Sequence, residues 1–157
     1  MSTELFFRNV CEKLREYTST PVMLGAPVDK TRGIFVWPWR IAENKLLHKQ
    51  TSAPLSAGYE LNSFSLNVHF AVIPNPAFTE EGISLVETVY QLIFDVPTVE
   101  IDNGQAHLIV EDISLDQLAS LFLSAGLPIS PCVCVRSTIV FSGLDSPISP
   151  VISSDVE

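Results

Sequence analysis

The chain has 157 residues, of which 46% are apolar and 17% charged, a composition that supports one globular domain and excludes a disordered chain. Eighteen acidic side chains against nine basic ones give a net charge of −9, so a nucleic acid backbone would be repelled and is not an expected partner. No apolar run of about 18 residues occurs, which predicts no membrane-spanning segment. Glu4 and Arg8 interrupt the stretch where a signal peptide needs a continuous apolar core, and we expect a cytoplasmic protein.

Charge is unevenly distributed along the chain. Residues 1–49 carry eight of the nine basic side chains and five acidic ones, whereas the remainder carries thirteen acids and Arg136 alone. Folding can mix these charges over the surface, because sequence halves need not be spatial halves. The alternative is a bipolar surface, whose complementary patches would favour docking with other protein subunits.

The N-terminal third predicts one helix and two strands. Thr3 is a good N-cap for the helix. Residues 22–24 predict a short strand, and the apolar run 34–39 predicts a second one. Pro38 removes a ladder donor, so this strand is expected to lie at a sheet edge or to bend there. Residues 41–60 show no periodicity and predict a long loop, of the kind that often carries function.

The central part predicts a long strand, a helix and a hairpin. Residues 62–73 alternate between apolar and more polar side chains, as in a largely antiparallel sheet with one packed face. Thr79 and two acids then begin a helix that continues to about residue 94. Its apolar residues cover more than one stripe, so we expect it to be buried in the domain or against a neighbour. Residues 98–101 and 106–112 predict two short strands joined by a turn.

The C-terminal part contains the strongest local signal, a capping box. The sequence SLDQ from Ser114 predicts a helix start, and this helix is expected to end at Gly126. Residues 132–141 predict a last strand, and residues 142–157 an extended tail rich in Pro and Ser. We therefore predict an α+β fold in which a single domain over residues 1–141 has a mostly antiparallel or mixed sheet and about three helices.

No catalytic, cofactor or metal motif is visible. A Gly-rich phosphate loop, a nucleophile elbow and a paired-histidine helix motif are all missing from the sequence. Cys132 and Cys134 fall on one strand face, but a zinc site normally needs four ligands, so structural, reduced thiols are expected. The three histidines have no sequence-local acid–base or metal partner, and the acidic pairs at 80–81 and 111–112 are interpreted as solvated. We expect neither an enzyme nor a bound cofactor.

Four segments of the chain carry a recognisable pattern. They are FVWPWRIAEN at residues 35–44, FSLNVHFAV at 64–72, the helix end YQLIFDVP at 90–97, and ISLDQLASLF at 113–122, which leads to VCVR at 133–136. In this order and spacing they resemble the terminator or cap proteins of phage-tail-like contractile injection systems. The resemblance is to the N-terminal cap domain in extracellular, virulence-cassette-like particles.

The resemblance implies a phage tail-terminator-like fold and a structural function without catalysis. Proteins of this family form rings, usually hexamers, on the last layer of the inner tube and sheath. These rings stop the polymerisation of the tube and the sheath. The implied partners are further copies of the chain and the tube and sheath subunits. The implied location is cytoplasmic assembly into an injection particle that is released from the cell. Two alternatives stay open: a tail-completion protein of a contractile phage, and a small-molecule-binding α+β domain.

Candidate interface residues lie in the predicted loop, in the tail and in the tryptophan-containing strand. Leu46 and Leu47 are expected to contact a partner, because exposed leucines usually mark a contact. The alternative is that they fold back over their own domain. In the tail, Val151 and Ile152 either cover a neighbour or hang free. The full candidate set is Trp37, Trp39, Lys45, Leu46, Leu47, His48, Lys49, Val151 and Ile152.

Overall fold

The computed structural model describes residues 2–28, 31–44, 63–102 and 104–142. Within these ranges the chain forms three α-helices and seven β-strands, which confirms the predicted α+β class. In chain order the elements are α1 (Ser2–Tyr17), β1 (Val22–Leu24), β2 (Gly33–Glu43), β3 (Ser63–Asn75), α2 (Glu80–Asp95), β4 (Thr98–Ile101), β5 (Gly104–His107), β6 (Ile109–Val110), α3 (Leu115–Ser124) and β7 (Val133–Ser142).

Five strands form one mixed sheet in the order β1-β2-β3-β7-β6, and β4 and β5 form a separate two-stranded hairpin. β1 pairs with β2 in parallel, and the other described pairs are antiparallel. β3 pairs over ten residues with β2 on one side and over ten with β7 on the other. The face on which each side chain of β2 and β7 lies is therefore set by the register of that strand with β3.

Two of the helices begin with the caps that the sequence predicts. Thr79 accepts a hydrogen bond at Oγ1 from the N–H of Gly82 at 3.0 Å, and α2 follows. Ser114 accepts one at Oγ from the N–H of Gln117 at 3.1 Å, and α3 follows. These bonds satisfy backbone donors that have no partner within the first turn of a helix. Gly126, at φ 71°, ends α3 in the left-handed region that glycine adopts without strain.

α1 and α2 cover one face of the sheet, here called the α1/α2 face. Val68, Phe70 and Val72 of β3 point toward these helices and are buried, as the alternation predicts, whereas Phe64 near the start of β3 is exposed. Phe70 of β3 lies edge-on to Phe6 and Phe7 of α1, with ring centroids 5.9 and 5.5 Å apart. Val89 and Leu92 of α2 belong to the same buried cluster. This cluster is the main hydrophobic core.

α3 covers only part of the opposite face, here called the α3 face. Phe122 of α3 is buried against Ala71 and Ile73 of β3 and Cys134 of β7. These are small or apolar side chains at one end of the sheet. Further along the same face, His69 of β3 takes the place of an apolar side chain. Polar side chains therefore occupy the part of the α3 face that α3 leaves uncovered in the described structure.

β2 continues beyond the predicted strand as far as Glu43. Its register with β3 shifts between Pro38 and Arg40, so Trp39 is accommodated in a β-bulge. β1 ends before it reaches Pro38, which explains how an internal strand tolerates a proline. The predicted loop start at residue 41 is wrong, because the bulge breaks the alternation by which a strand is recognised in the sequence.

Two further boundaries differ from the prediction. α1 begins at Ser2, so Thr3 is already within the helix and is not its N-cap. The strand predicted over residues 106–112 is divided in two: β5 pairs with β4, and β6 pairs with β7. The chain changes sheets at the buried Leu108, whose N–H donates to the Pro97 carbonyl at 2.7 Å.

Candidate interaction surfaces

The two tryptophans of the predicted interface set lie on the α3 face and are half-buried within their own domain. Trp37 lies edge-on to Phe122, with 6.0 Å between ring centroids. Trp39 packs against the imidazole of His69, with 5.3 Å between centroids. The Nε1 donor of Trp39 is buried and has no hydrogen-bond partner within the described ranges. Much of each ring is therefore used by internal packing, and an interface role for the remainder stays a prediction.

The other predicted interface residues lie outside the described residues. They are Lys45, Leu46, Leu47, His48, Lys49, Val151 and Ile152. The domain boundary at residue 141 and the tail 142–157 likewise remain predictions.

A largely buried pair of hydrogen-bonded side chains links β3 to the residue that follows β6. Both carboxylate oxygens of Glu111 contact Nδ1 of His69, at 3.0 and 2.6 Å. The side chains are only 15% and 14% exposed. Glu111 is held here because its N–H donates to the Cys134 carbonyl of β7 at 2.8 Å. Its interpretation as a solvated acid is wrong, and no local signal could have revealed a partner that lies 42 residues away.

Two arginines flank His69 on the neighbouring strands. Arg40 of β2 and Arg136 of β7 are both in register with His69 of β3, and paired residues of an antiparallel ladder share a face. The bulge at Trp39 produces this alignment, since it shifts the β2 register by one residue. Arg40 and Arg136, here called the arginine row, make no salt bridge with any carboxylate that the structure describes.

The bipolar surface suggested by the sequence stays a prediction, but the described ion pairs show which arginines have partners. On α1, Arg8 and Arg15 pair with acids of the same helix. At the start of β2, Arg32 pairs with Glu81 of α2. These cations are therefore compensated locally. The arginine row differs from them, because its charge is not neutralised by a described neighbour.

α2 presents an exposed apolar stripe to solvent. Ile83, Tyr90 and Phe94 are all exposed, and Phe94 is 83% accessible. Their spacing of seven and four residues places them on one side of the helix, opposite the buried Val89 and Leu92. Ile83, Tyr90 and Phe94 are here called the α2 stripe. The α2 stripe is therefore not buried within its own domain, and its expected burial against a neighbour stays a prediction.

Cys132 and Cys134 form a hydrogen-bonded thiol pair beneath α3. Cys132 keeps its proton and donates to Cys134, which lowers the pKa of Cys134 from its ordinary value. The same hydrogen bond, together with burial, raises the pKa of Cys132. Among the residues that the structure describes, no three His, Cys, Asp or Glu side chains come together in a possible metal site.

A cavity of about 370 Å³, with both polar and apolar groups in its lining, lies between the end of α3 and the segment that precedes β2. Its walls include Val28, Phe122, Leu127 and Pro128. None of the described residues that line it is acidic, basic or a histidine. No helix in the described ranges is long and apolar enough to cross a membrane.

Two solved structures share this arrangement of helices and strands. One is the anti-feeding prophage cap, the AFP tube terminating cap, with a TM-score of 0.68 and 16% identity over 87% of this chain and 53% of that chain. This chain has the fold of a tube-terminating cap. The other is the PVC sheath/tube terminator of an extracellular contractile injection system in its extended state, with a TM-score of 0.63 and 14% identity over 87% of this chain and 54% of that chain.

The similarity extends over about half the length of both cap proteins. At this level of identity it establishes the shared fold, and the terminator-like fold implied by the sequence resemblance is thereby confirmed. Neither a protein-family model nor a curated protein sequence matches the chain.

Proposed function

We propose that this chain is a terminator subunit of a contractile injection particle. In this proposal, six copies form a ring on the last layer of the inner tube and sheath, and the ring stops further polymerisation. The particle assembles in the cytoplasm and is later released. The observation that carries the proposal is the fold shared with two tube-terminating proteins over 87% of this chain.

The surface of the molecule is consistent with a role in assembly. Exposed aromatic side chains on α2, and arginines on the α3 face that form no salt bridge with a described carboxylate, are features of surfaces that bind other proteins. A ring subunit needs one surface that binds the last tube or sheath layer. It also needs an outer surface to which no further tube or sheath subunit binds. Binding without chemistry is sufficient for this function.

Deletion of the gene tests the proposal. Without a terminator, tube and sheath subunits still fold, but polymerisation has no defined end, so we expect particles of variable or unstable length in electron micrographs. Expression of the wild-type chain from a plasmid should restore uniform particles. If the deletion strain makes uniformly long, capped particles, the terminator role is wrong.

Labelling gives an independent test of location. A peptide tag on the chain should place antibody-bound gold at one end of each particle, because a cap binds only the last layer. Gold along the full length of the sheath, or its absence from purified particles, would contradict the proposal.

A further inference from the structure

One helix presents large apolar side chains to solvent, and one part of the sheet presents arginines that have no counter-ion among the described residues. We propose that these two surfaces bind each other between neighbouring copies of this chain, with the α2 stripe of one copy on the arginine row of the next. The inference rests on the proposed function, since it names the contact from which a ring would be built.

The α2 stripe has acidic side chains within it and at its end. Glu87 lies between Ile83 and Tyr90 in the stripe, and Asp95 follows Phe94 at the end of the helix. α2 contains no Lys or Arg. The negative end of the helix dipole adds to the charge of Asp95, so a cation supplied by a partner is stabilised at this position.

The arginine row provides the complementary charge. Arg40 and Arg136 lie roughly 10 Å apart on the two sides of β3, with His69 between them. Glu111 is already bound to His69, so neither arginine has a carboxylate partner among the described residues. An acidic partner surface would supply the carboxylates that the arginine row lacks within the described part of one copy.

Arginine is also suited to the aromatic centre of the α2 stripe. A guanidinium group binds over the face of a Tyr or Phe ring while it donates hydrogen bonds to carboxylates at the edge. Tyr and Arg are both enriched among the residues that dominate binding free energies. Tyr90 and Phe94 are therefore the expected anchors, and Glu87 and Asp95 the expected rim charges.

The placement of the two surfaces determines the type of assembly. α2 packs on the α1/α2 face of the sheet, and the arginine row lies on the opposite face. A surface on one face of a copy therefore meets a different surface of the next copy, which is a heterologous contact. Such contacts repeat from copy to copy and generate a ring when the rotation closes.

Two variants separate the two surfaces. The stripe variant combines Tyr90→Ser with Phe94→Ser, and the row variant combines Arg40→Glu with Arg136→Glu. Each should stay monomeric in sedimentation velocity runs at concentrations where the wild-type chain assembles. The stripe variant keeps its arginine row, and the row variant keeps its α2 stripe. In a mixture, the α2 stripe of the row variant can therefore bind the arginine row of the stripe variant, and no other contact can form. We expect a one-to-one dimer and no larger species.

The control variant combines Leu115→Ser with Leu123→Ser, which removes exposed apolar side chains from α3. It should assemble like the wild-type chain. Circular dichroism should show that all variants are folded. A stripe variant or row variant that folds and assembles like the wild type overturns the proposal, as does a mixture that remains monomeric.

Charge exchange gives a second readout if the stripe variant fails to fold. Glu87→Arg with Asp95→Arg should weaken assembly roughly tenfold or more, and the addition of Arg40→Glu with Arg136→Glu in the same chain should restore it. Failure of the restored chain to assemble overturns the contact.

The outcome is separable from that of the proposed function. A wild-type chain that remains monomeric up to its solubility limit overturns the self-contact, whereas the terminator role is decided by particle length in the deletion strain. Conversely, the chain can form rings through these surfaces while the deletion strain makes normal particles. That result would support the contact between copies and would contradict the terminator role.

Discussion

Gly82 in the first turn of α2 has no room for a side chain. A Cβ at this position would lie 2.5 Å from the Pro76 carbonyl oxygen and 2.6 Å from that of Ala77. Both are backbone atoms, so the conflict cannot be relieved by rotation of a side chain. The close approach allows α2 to start directly above the turn that follows β3, and it fixes where α2 meets the sheet.

We expect Gly82→Ala to destabilise the protein by about 1–3 kcal/mol. In an unhindered helix the same change would stabilise by about 1 kcal/mol, because alanine has the higher helix propensity, so the sign distinguishes the two situations. Urea unfolding measures the difference. Ser84→Ala, at an exposed position of the same helix, is the matched control and should be neutral or slightly stabilising. A Gly82→Ala variant as stable as the parent contradicts the close contact.

The interaction between Cys132 and Cys134 predicts how the alkylation of Cys134 depends on pH. The hydrogen bond from Cys132 lowers the pKa of Cys134, whereas burial and the nearby Glu111 raise it. Cys132→Ala removes the hydrogen bond that lowers the pKa of Cys134, but leaves its burial and the nearby Glu111 unchanged. The pKa of Cys134 should therefore rise. Its thiolate should then form at higher pH, and alkylation of Cys134 should begin at higher pH than in the parent protein.

Mass spectrometry after digestion follows each cysteine separately in one sample. Cys11 lies in the main core, where burial raises its pKa, and its alkylation profile should be the same in both proteins. If alkylation of Cys134 begins at the same or lower pH in the Cys132→Ala variant, the hydrogen bond between the thiols is absent.

At the scale of elements, α3 is held by its ends and by one aromatic anchor. Ile113 and Leu118, on either side of the Ser114 cap, both pack into the cluster on the α3 face, as expected for a hydrophobic staple. Phe122 then fixes the last turn against the sheet, where it is 1% exposed. α3 therefore covers the part of the α3 face that has apolar side chains.

Phe122→Ala should destabilise the protein by about 3–5 kcal/mol, because it leaves a cavity beneath α3 that Trp37 and Ile73 cannot fill. The neighbouring Leu123 is 78% exposed, and Leu123→Ala should change the stability by no more than about 0.5 kcal/mol. Thermal unfolding followed by tryptophan fluorescence measures both. Equal effects of the two changes would mean that α3 is not anchored through Phe122.

At the scale of the whole molecule, the sheet separates two surfaces of different character. The α1/α2 face is closed by two helices and carries the exposed α2 stripe on its outer side. The α3 face is closed by one short helix and carries the arginine row. A subunit with different surfaces on its two sides is suited to repeated contacts with identical neighbours.

The predicted interface loop can be tested directly by mutation. Leu46→Ser combined with Leu47→Ser should leave a folded, soluble chain but weaken assembly or docking, because truncation of buried anchors typically costs about 2 kcal/mol or more. Lys45→Glu combined with Lys49→Glu should cause a milder loss that depends on salt, because rim charges steer association more than they maintain it.

Circular dichroism and sedimentation on the same samples distinguish the outcomes. If the leucine variant unfolds, these side chains belong to the core of their own domain. If it folds and assembles like the wild type, the loop is not an interface.

The sequence by itself determined the elements whose signals are local. The caps at Thr79 and Ser114 predicted the starts of α2 and α3, and the alternation over residues 62–73 predicted β3 and its buried face. The hydrogen bonds of a cap join atoms within one helical turn, and alternation follows from the pleat of a single strand. Neither depends on the rest of the fold, so both can be recognised without it.

The tertiary structure alone decided what lies together on the α3 face. The Trp39 bulge, the Arg40–His69–Arg136 alignment and the His69–Glu111 pair each depend on the register between strands that are distant in sequence. A shift of one residue would move every side chain of a strand to the other face. That register is set by the packing of the core as a whole, and no short segment of the sequence contains it.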